Sequence, residues 1–204
     1  MEKSRERITI PMKKLHSKKK IAIIGDGGHA SICVDILGLK KKKPTYIVVS
    51  QKNEISNLKK IKYKLTDEEF ISQFKPGDVH LINGIGIVPG KNRYLRKEIY
   101  ERYCKLKYDF LTLIHPSAII SNTAQISNGA QIMAGSIIQC NVTIERNTII
   151  NSGSIIEHDC YIGENSHIAP GSTLCGNVKI KKNVFLPAGS IIKPNITISK
   201  DSKR

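Results

Sequence analysis

The chain has 204 residues, 40% of them hydrophobic, with five cysteines and a formal net charge of +16. No run of about 18 apolar residues appears, which predicts no membrane span, and the N-terminus lacks the apolar core of a secretory signal. Cys33, Cys104, Cys140, Cys160 and Cys175 are odd in number and form no CxxC pair, so neither a disulfide framework nor a cysteine-rich zinc site is expected and they read as free thiols.

The charge is uneven: residues 1–112 hold 25 Lys/Arg against 12 Asp/Glu, and residues 113–204 hold 8 against 5. The basic residues are not interleaved with aromatics as on a base-stacking surface, so nucleic acid is not an expected partner. A lysine-rich solvated face that also attracts an anionic nucleotide fits better.

Residues 1–18 are charged and aperiodic and read as a mobile leader. From Lys19 the pattern becomes IAIIG, an apolar run of buried parallel-strand type, then the glycine-rich turn Gly25–Gly28 and a helix-like segment from His29 to Leu39. Such a turn lets backbone approach a ligand and aims helix N–H groups at an anion, as a nucleotide diphosphate requires, although tight packing alone also calls for glycine. A second strand is expected at Thr45–Val49. A helix follows near Thr66, whose spacing to Glu69 is that of a capping box. Next come a strand at Val79–Asn83, a second glycine turn at Gly84 and Gly86, an amphipathic helix over Asn92–Cys104 and a strand at Tyr108–Thr112. Alternating strands and helices predict a Rossmann-like α/β domain over 19–112.

The remainder, 113–204, has a different grammar. In steps of six from Ile114, every position through Ile198 is Ile or Leu, and the residue four further on is small or β-branched, as at Ala118, Ala124, Ala130, Ser136, Val142, Ser154, Cys160, Ser166, Ser172 and Ser190. A helical stripe would recur every three or four residues. A period of six predicts a parallel β-helix, each hexapeptide forming one face of a triangular coil and three making a turn, or about five coils here.

Within this repeat, IIEHDCYIGENSHIAPG carries two histidines. His158 is neither the inward Ile nor the inward small residue of its hexapeptide, so its ring points outward. Asp159 is then placed to hydrogen-bond one ring nitrogen and fix the tautomer. The plain alternatives are a surface histidine at 158, a corner-capping residue at His167, a helix-start packing residue at His29, a turn glycine at Gly176, an Asn ladder at Asn151 and a domain-junction residue at His115. Cys160 occupies the inward small position and reads as core.

The stretches IAIIGDGGHASICVDIL, LIHPSAIIS and INSGSIIEHDCYIGENSHIAPGSTLCGNVKI make the chain resemble the sugar O-acyltransferases of the sialic acid O-acetyltransferase type, a hexapeptide-repeat group that includes the bacillosamine-pathway N-acetyltransferases of nucleotide-linked amino sugars. The resemblance runs from about Lys19 to the end. It implies a left-handed β-helix, a homotrimer with active sites between neighbouring coils and acetyl-CoA as acyl donor; a cytoplasmic location is expected from the lack of a span and of a secretory signal. It implies direct acetyl transfer to a UDP-amino sugar or a sialic-acid-like nonulosonic sugar of surface-glycan biosynthesis. His158 would be the base, Asp159 its acid partner, and Glu157 and Asn151 would lie beside the reacting groups. His167, Gly176 and Ala188 would meet the cofactor, and Gly27, Gly28, His29 and Gly84 the sugar nucleotide; no metal is implied. The chain departs from many such proteins at Val49-Ser50-Gln51, where they carry paired aspartates, and at its C-terminus, where they continue for a further coil.

Two other classes fit parts of the pattern. A non-catalytic nucleotide-sugar-binding relative would keep the fold with an incomplete CoA groove. A metal-dependent β-helix hydratase needs three histidine ligands, and the repeat offers His158, His167 and, at its entrance, His115.

Overall fold

The computed structural model describes residues 19–50, 58, 61, 63–88, 90 and 93–200; the expected leader lies outside them. The first part is a five-stranded, wholly parallel sheet of order β3-β2-β1-β4-β5. Its strands are β1 (Lys20–Ile24), β2 (Tyr46–Val49), β3 (Tyr63–Thr66), β4 (Val79–Asn83) and β5 (Asp109–Phe110), joined by helices α1 (Gly28–Leu39), α2 (Asp67–Gln73) and α3 (Leu95–Lys105). The order reverses at β1, so the turns after β1 and β4 flank the crevice where open α/β sheets bind ligands. The capping box forms as spelled: the Glu69 amide donates to Thr66 Oγ1 at 3.2 Å, and the Thr66 amide to Glu69 Oε2 at 2.8 Å. Strand β3 was not expected; it is a four-residue edge strand ending at the cap itself, too short and too exposed for a clear alternation.

From Leu113 the chain winds into a left-handed β-helix of fifteen two-residue strands, the expected architecture. Three parallel sheets form its faces. The first holds β6 (Leu113–Ile114), β9 (Gln131–Ile132), β12 (Ile149–Ile150), β15 (His167–Ile168) and β18 (Phe185–Leu186). The second holds β7 (Ile119–Ile120), β10 (Ile137–Ile138), β13 (Ile155–Ile156), β16 (Thr173–Leu174) and β19 (Ile191–Ile192). The third holds β8 (Gln125–Ile126), β11 (Thr143–Ile144), β14 (Tyr161–Ile162), β17 (Lys179–Ile180) and β20 (Thr197–Ile198). Partners pair 18 residues apart, as Ile138 with Ile156 and Ile156 with Leu174. The second residue of each strand points inward, and Ile132, Ile138, Ile144, Ile150, Ile156, Ile162, Ile168, Leu174, Ile180 and Leu186 form one continuous core. Each such side chain contributes roughly 1.5–3 kcal/mol by leaving water.

The first residue of each strand points outward, and its character differs from face to face. On the first face Leu113, Gln131, Ile149, His167 and Phe185 lie toward the α/β domain, where Leu113, Met133 and Ile149 join α1 residues Ala30, Cys33, Ile36 and Leu37 in a shared core. On the third, Gln125, Thr143, Tyr161, Lys179 and Thr197 are polar apart from the Tyr161 ring. On the second, Ile119, Ile137, Ile155 and Ile191 form an apolar stripe interrupted by Thr173, with Ile119 and Ile191 strongly exposed.

Each corner from 129 to 195 turns on one left-handed residue every six positions: Gly129, Gly135, Asn141, Asn147, Gly153, Asp159, Asn165, Gly171, Asn177, Asn183, Gly189 and Asn195. Only Gly, Asn and Asp adopt this conformation at low cost. The three corners again differ. The corner from the first face to the second is all glycine; that from the third to the first carries Asn147, Asn165 and Asn183 after Gly129; and that from the second to the third carries Asn141, Asp159, Asn177 and Asn195.

Candidate active site

His158 follows β13 at the corner from the second face to the third. Its backbone is fixed by the coil above, whose Asn177 amide donates to the His158 carbonyl at 2.9 Å. The ring stands in solvent, its side chain 57% exposed, and Nδ1–H donates to Asp159 Oδ2 at 2.8 Å. That bond selects the tautomer and leaves Nε2 free to take a proton. The other oxygen of Asp159, Oδ1, accepts from Asn141 Nδ2 at 3.1 Å. The hydrogen bonds from His158 and from Asn141 hold the Asp159 carboxyl below its usual range.

Gly176 is the residue one coil beyond His158. A Cβ there would stand 2.6 Å from both Cε1 and Nε2 of the imidazole. Glycine at 176 therefore makes room for the ring and lets it reach Asp159. Glu157, half-buried, precedes His158 in the same turn, so Glu157, His158, Asp159 and Gly176 are brought together at one corner.

The other residues expected at the site lie elsewhere in the single chain. Asn151 is at the preceding corner, between β12 and β13, where its Nδ2 donates to His167 Nε2 at 3.0 Å and its Oδ1 accepts from the Ser152 amide at 2.8 Å. His167 is the outward residue of β15 on the face covered by the α/β domain. It is buried, its Nδ1–H donates to the carbonyl of Ile87 at 3.2 Å, and its ring meets Phe185 edge-on. Burial first, then the neighbouring His29 and Arg96, pull its pKa down to about 3. Both ring nitrogens are thus engaged within the chain. Ala188 is half-buried in the turn after β18.

In the α/β domain, Gly27 caps α1, and both Gly27 and Gly28 have open space where a side chain would project. No side chain caps this helix end, and its first turn holds no acidic residue. His29, next in the helix, donates Nε2–H to Gln131 Oε1 of β9 at 2.7 Å, and burial, with Arg96 nearby, lowers its pKa to about 4. Gly84 sits where a Cβ would fall 2.6 Å from the Ile24 carbonyl oxygen and 2.8 Å from the Ala30 methyl, so it serves the close approach of the β4 turn to β1 and α1.

A polar network that the sequence did not reveal joins the domains. Arg96, on α3 and wholly buried, donates from Nη1 to the carbonyls of Asn83 (2.9 Å) and Ile85 (2.6 Å) and from Nε to that of Asn147 (3.1 Å). Asn83 Nδ2 donates to Asn147 Oδ1 at 3.1 Å, Asn147 Nδ2 to Asn165 Oδ1 at 2.8 Å, and Gln131 Nε2 to the Asn83 carbonyl at 2.8 Å. Burial holds the Arg96 pKa down at about 10. The one signal in the sequence was the recurrence of Asn at the third-to-first corner. Among the described residues, no three His, Cys, Asp or Glu side chains are grouped to hold a metal ion, and no helix is long and apolar enough to cross a membrane.

A doubly wound domain leading into a left-handed β-helix, with an exposed His–Asp pair at a corner, places the chain in the class of hexapeptide-repeat proteins with a nucleotide-binding-type domain. Residues 20–103 match the PglD N-terminal domain family, and residues 106–204 match the GMPPB C-terminal domain family. Over 110 residues the chain is 35% identical to the UDP-N-acetylbacillosamine N-acetyltransferase of Bacillus subtilis (strain 168), a match covering 52% of this chain and 47% of that protein. The chain thus spans about half the length of the curated relative it matches. Its fold is that of the GDP-perosamine N-acetyltransferase of Caulobacter crescentus, solved in complex with CoA and GDP-perosamine, at a TM-score of 0.70 and 20% identity over 89% of this chain and 91% of that one. It is also that of the acetyltransferase domain of PglB from Neisseria gonorrhoeae FA1090, at a TM-score of 0.68 and 21% identity over 87% and 93%. The resemblance to bacillosamine-type sugar acyltransferases read from the sequence is borne out by these matches.

Proposed function

We propose that this chain is an acetyl-CoA-dependent N-acetyltransferase acting on a nucleotide-linked amino sugar, with His158 as general base. The observation that carries the reading is the His158–Asp159 pair: an exposed imidazole whose Nδ1–H is held by a carboxylate and whose Nε2 is free, on a rigid coil cleared by Gly176. The free sugar amine attacks the thioester carbonyl carbon, Nε2 takes the proton the amine loses, and CoA leaves as the thiol. Asp159 holds the ring during the transfer and stabilises the imidazolium. Glu157 lies beside the reacting groups.

The diphosphate of the sugar nucleotide is assigned to the open turn of Gly27 and Gly28, with His29 and Gly84 shaping the crevice floor; helix amides with no side-chain cap and no acid in the first turn favour an anion, and the Asp26 carboxylate just before the cap is paired with Lys64 at 2.9 Å. Acetyl-CoA is assigned to the turns that carry Gly176 and Ala188. His167, with both nitrogens engaged, acts on this groove through Asn151. The working form is a homotrimer. Support comes from the largely apolar stripe of Ile119, Ile137, Ile155 and Ile191, which borders the His158 corner and would bring a neighbouring subunit beside it. The protein works in the cytoplasm, the compartment that supplies acetyl-CoA and nucleotide sugars together.

The test is release of CoA thiol from acetyl-CoA with UDP-N-acetylbacillosamine, GDP-perosamine, and CMP-linked and free nonulosonic acids as acceptors. Turnover with an amino-sugar nucleotide that falls roughly 10²–10⁴-fold in His158→Ala is expected. Undiminished turnover in that variant rules out the base assignment, and turnover only with nonulosonic acids replaces N-acetylation by O-acetylation.

A further inference from the structure

We infer that Asn141, one coil below the His–Asp pair, is a positioning residue for Asp159 and through it for His158; the inference rests on the reading of His158 as base. At two corners of this β-helix a side-chain amide donates its Nδ2–H to the side-chain oxygen 18 residues on, in the same direction each time, although the Asn183 Oδ1 one rung further accepts no such bond. Asn147 donates to Asn165 at 2.8 Å and Asn177 to Asn195 at 2.9 Å. At the second-to-third corner the ladder runs Asn141, Asp159, Asn177, Asn195, and Asp159 is the single acid among the twelve left-handed corner residues.

A carboxylate in a ladder of amides accepts from below but has no N–H to pass upward. Asn141 Nδ2 donates to Oδ1 at 3.1 Å, and the chain of amides stops there, beginning again at Asn177. The second oxygen, Oδ2, is thereby left for His158 Nδ1–H at 2.8 Å. Two oxygens with two donors at different heights fix the plane of the carboxylate, and that plane fixes the imidazole. Asn141 is itself held by its amide, which donates to Thr123 Oγ1 at 3.0 Å. The hydrogen bond from Asn141 is also one of the causes that keep the Asp159 carboxyl below its usual range, so the same contact orients the acid and keeps it ionised.

The backbone at 141 has φ of 61°, so the informative substitutions are those that tolerate it. Asn141→Gly removes the donor, Asn141→Asp replaces it by an isosteric acceptor, and Asn195→Gly deletes a rung of the same ladder away from the pair. Two readouts on the full-length chain decide the matter. In carbon-13 NMR titrations the Asp159 carboxyl should titrate at higher pH in both Asn141 variants and be unmoved by Asn195→Gly. With acetyl-CoA and UDP-N-acetylbacillosamine or GDP-perosamine, Asn141→Gly should lower kcat about tenfold, the worth of one charge-assisted hydrogen bond. KM for acetyl-CoA should be unchanged, the acid limb of the kcat profile should move to higher pH, and Asn195→Gly should keep the parent kcat. An unmoved carboxyl titration, a parent-like kcat and pH profile, or equal losses in Asn141→Gly and Asn195→Gly would reduce Asn141 to a rung of the ladder, while an inactive His158→Ala leaves the base assignment standing. Full activity in His158→Ala, or no turnover of either sugar by the parent, removes both.

Discussion

His167 donates its Nδ1–H to the carbonyl oxygen of Ile87 across 3.2 Å, tying strand β15 of the β-helix to the loop that follows β4 of the α/β sheet. The same strip of interface holds His29 on Gln131 and Arg96 on the carbonyls of Asn83, Ile85 and Asn147. Two neutral imidazoles and one permanent cation therefore lie in a seam that has little water to offer a further charge.

Acid should open this seam. Burial pulls His29 down to about 4 and His167 to about 3, against 6.5 for the free side chain. The unfolded chain binds these two protons more readily, so their contribution to stability is complete above pH 6.5 and is lost as pH falls toward 4 and then 3. Urea unfolding should show a decline of roughly 2–5 kcal/mol between pH 7.5 and pH 4.5. Replacing His29 by Asn should flatten part of that slope; a pH-independent midpoint over the range would show that neither histidine is buried neutral.

Arg96 should matter for stability far more than for chemistry. Its removal leaves three buried carbonyl oxygens short of a donor, and Arg96→Ala should cost roughly 3 kcal/mol or more. Thermal melting and limited proteolysis between the domains check this. A variant with parent-like melting would show that water replaces the guanidinium without loss.

Gly176→Ala tests whether ring placement limits turnover. The added methyl would stand 2.6 Å from Cε1 and Nε2 of His158; the imidazole must swing away and lose Asp159. Turnover should fall roughly 10–100-fold while stability changes by less than about 0.5 kcal/mol. A structure of the variant should show the ring rotated; an unmoved ring with full activity would remove the clearance role.

The apolar face offers the check on assembly. Ile155→Lys and Ile191→Lys place ammonium groups on the stripe that runs beside the His158 corner. Light scattering on the parent should give three copies, and the variants should fall to lower mass and lower activity together. A parent that is a monomer at micromolar concentration and fully active would overturn the trimer.

Most of the architecture could be read from the residues, because period six is a local property: it needs only that each inward Ile recur at the same phase, and counting recovers it. The outward direction of His158 followed from the same phase. The covering of a face is not local. Nothing near His167 says that α1 and the loop after β4 will lie against β15, so a histidine expected at the cofactor is found beneath the other domain. Arg96 likewise looked like one cation of a basic amphipathic helix, and its acceptors are main-chain oxygens 11 to 51 residues away. Gly176 has a neighbour that the linear sequence hides: its spacing of 18 from His158, once three hexapeptides are known to make a coil, points to the ring.

Because pairing repeats every 18 residues with the same backbone at each rung, the His–Asp pair has a movable address. Positions 140–141, 158–159 and 176–177 are geometrically interchangeable and carry Cys-Asn, His-Asp and Gly-Asn. Four substitutions, Cys140→His, Asn141→Asp, His158→Gly and Asp159→Asn, would write the pair and its clearance one storey lower without touching the core, the last because carboxylates at 141 and 159 would otherwise face each other with no donor between them. The repeat thus lets the proton-taking group be moved along the coil only in whole storeys of 18 residues, and each move obliges the neighbouring rung to change with it.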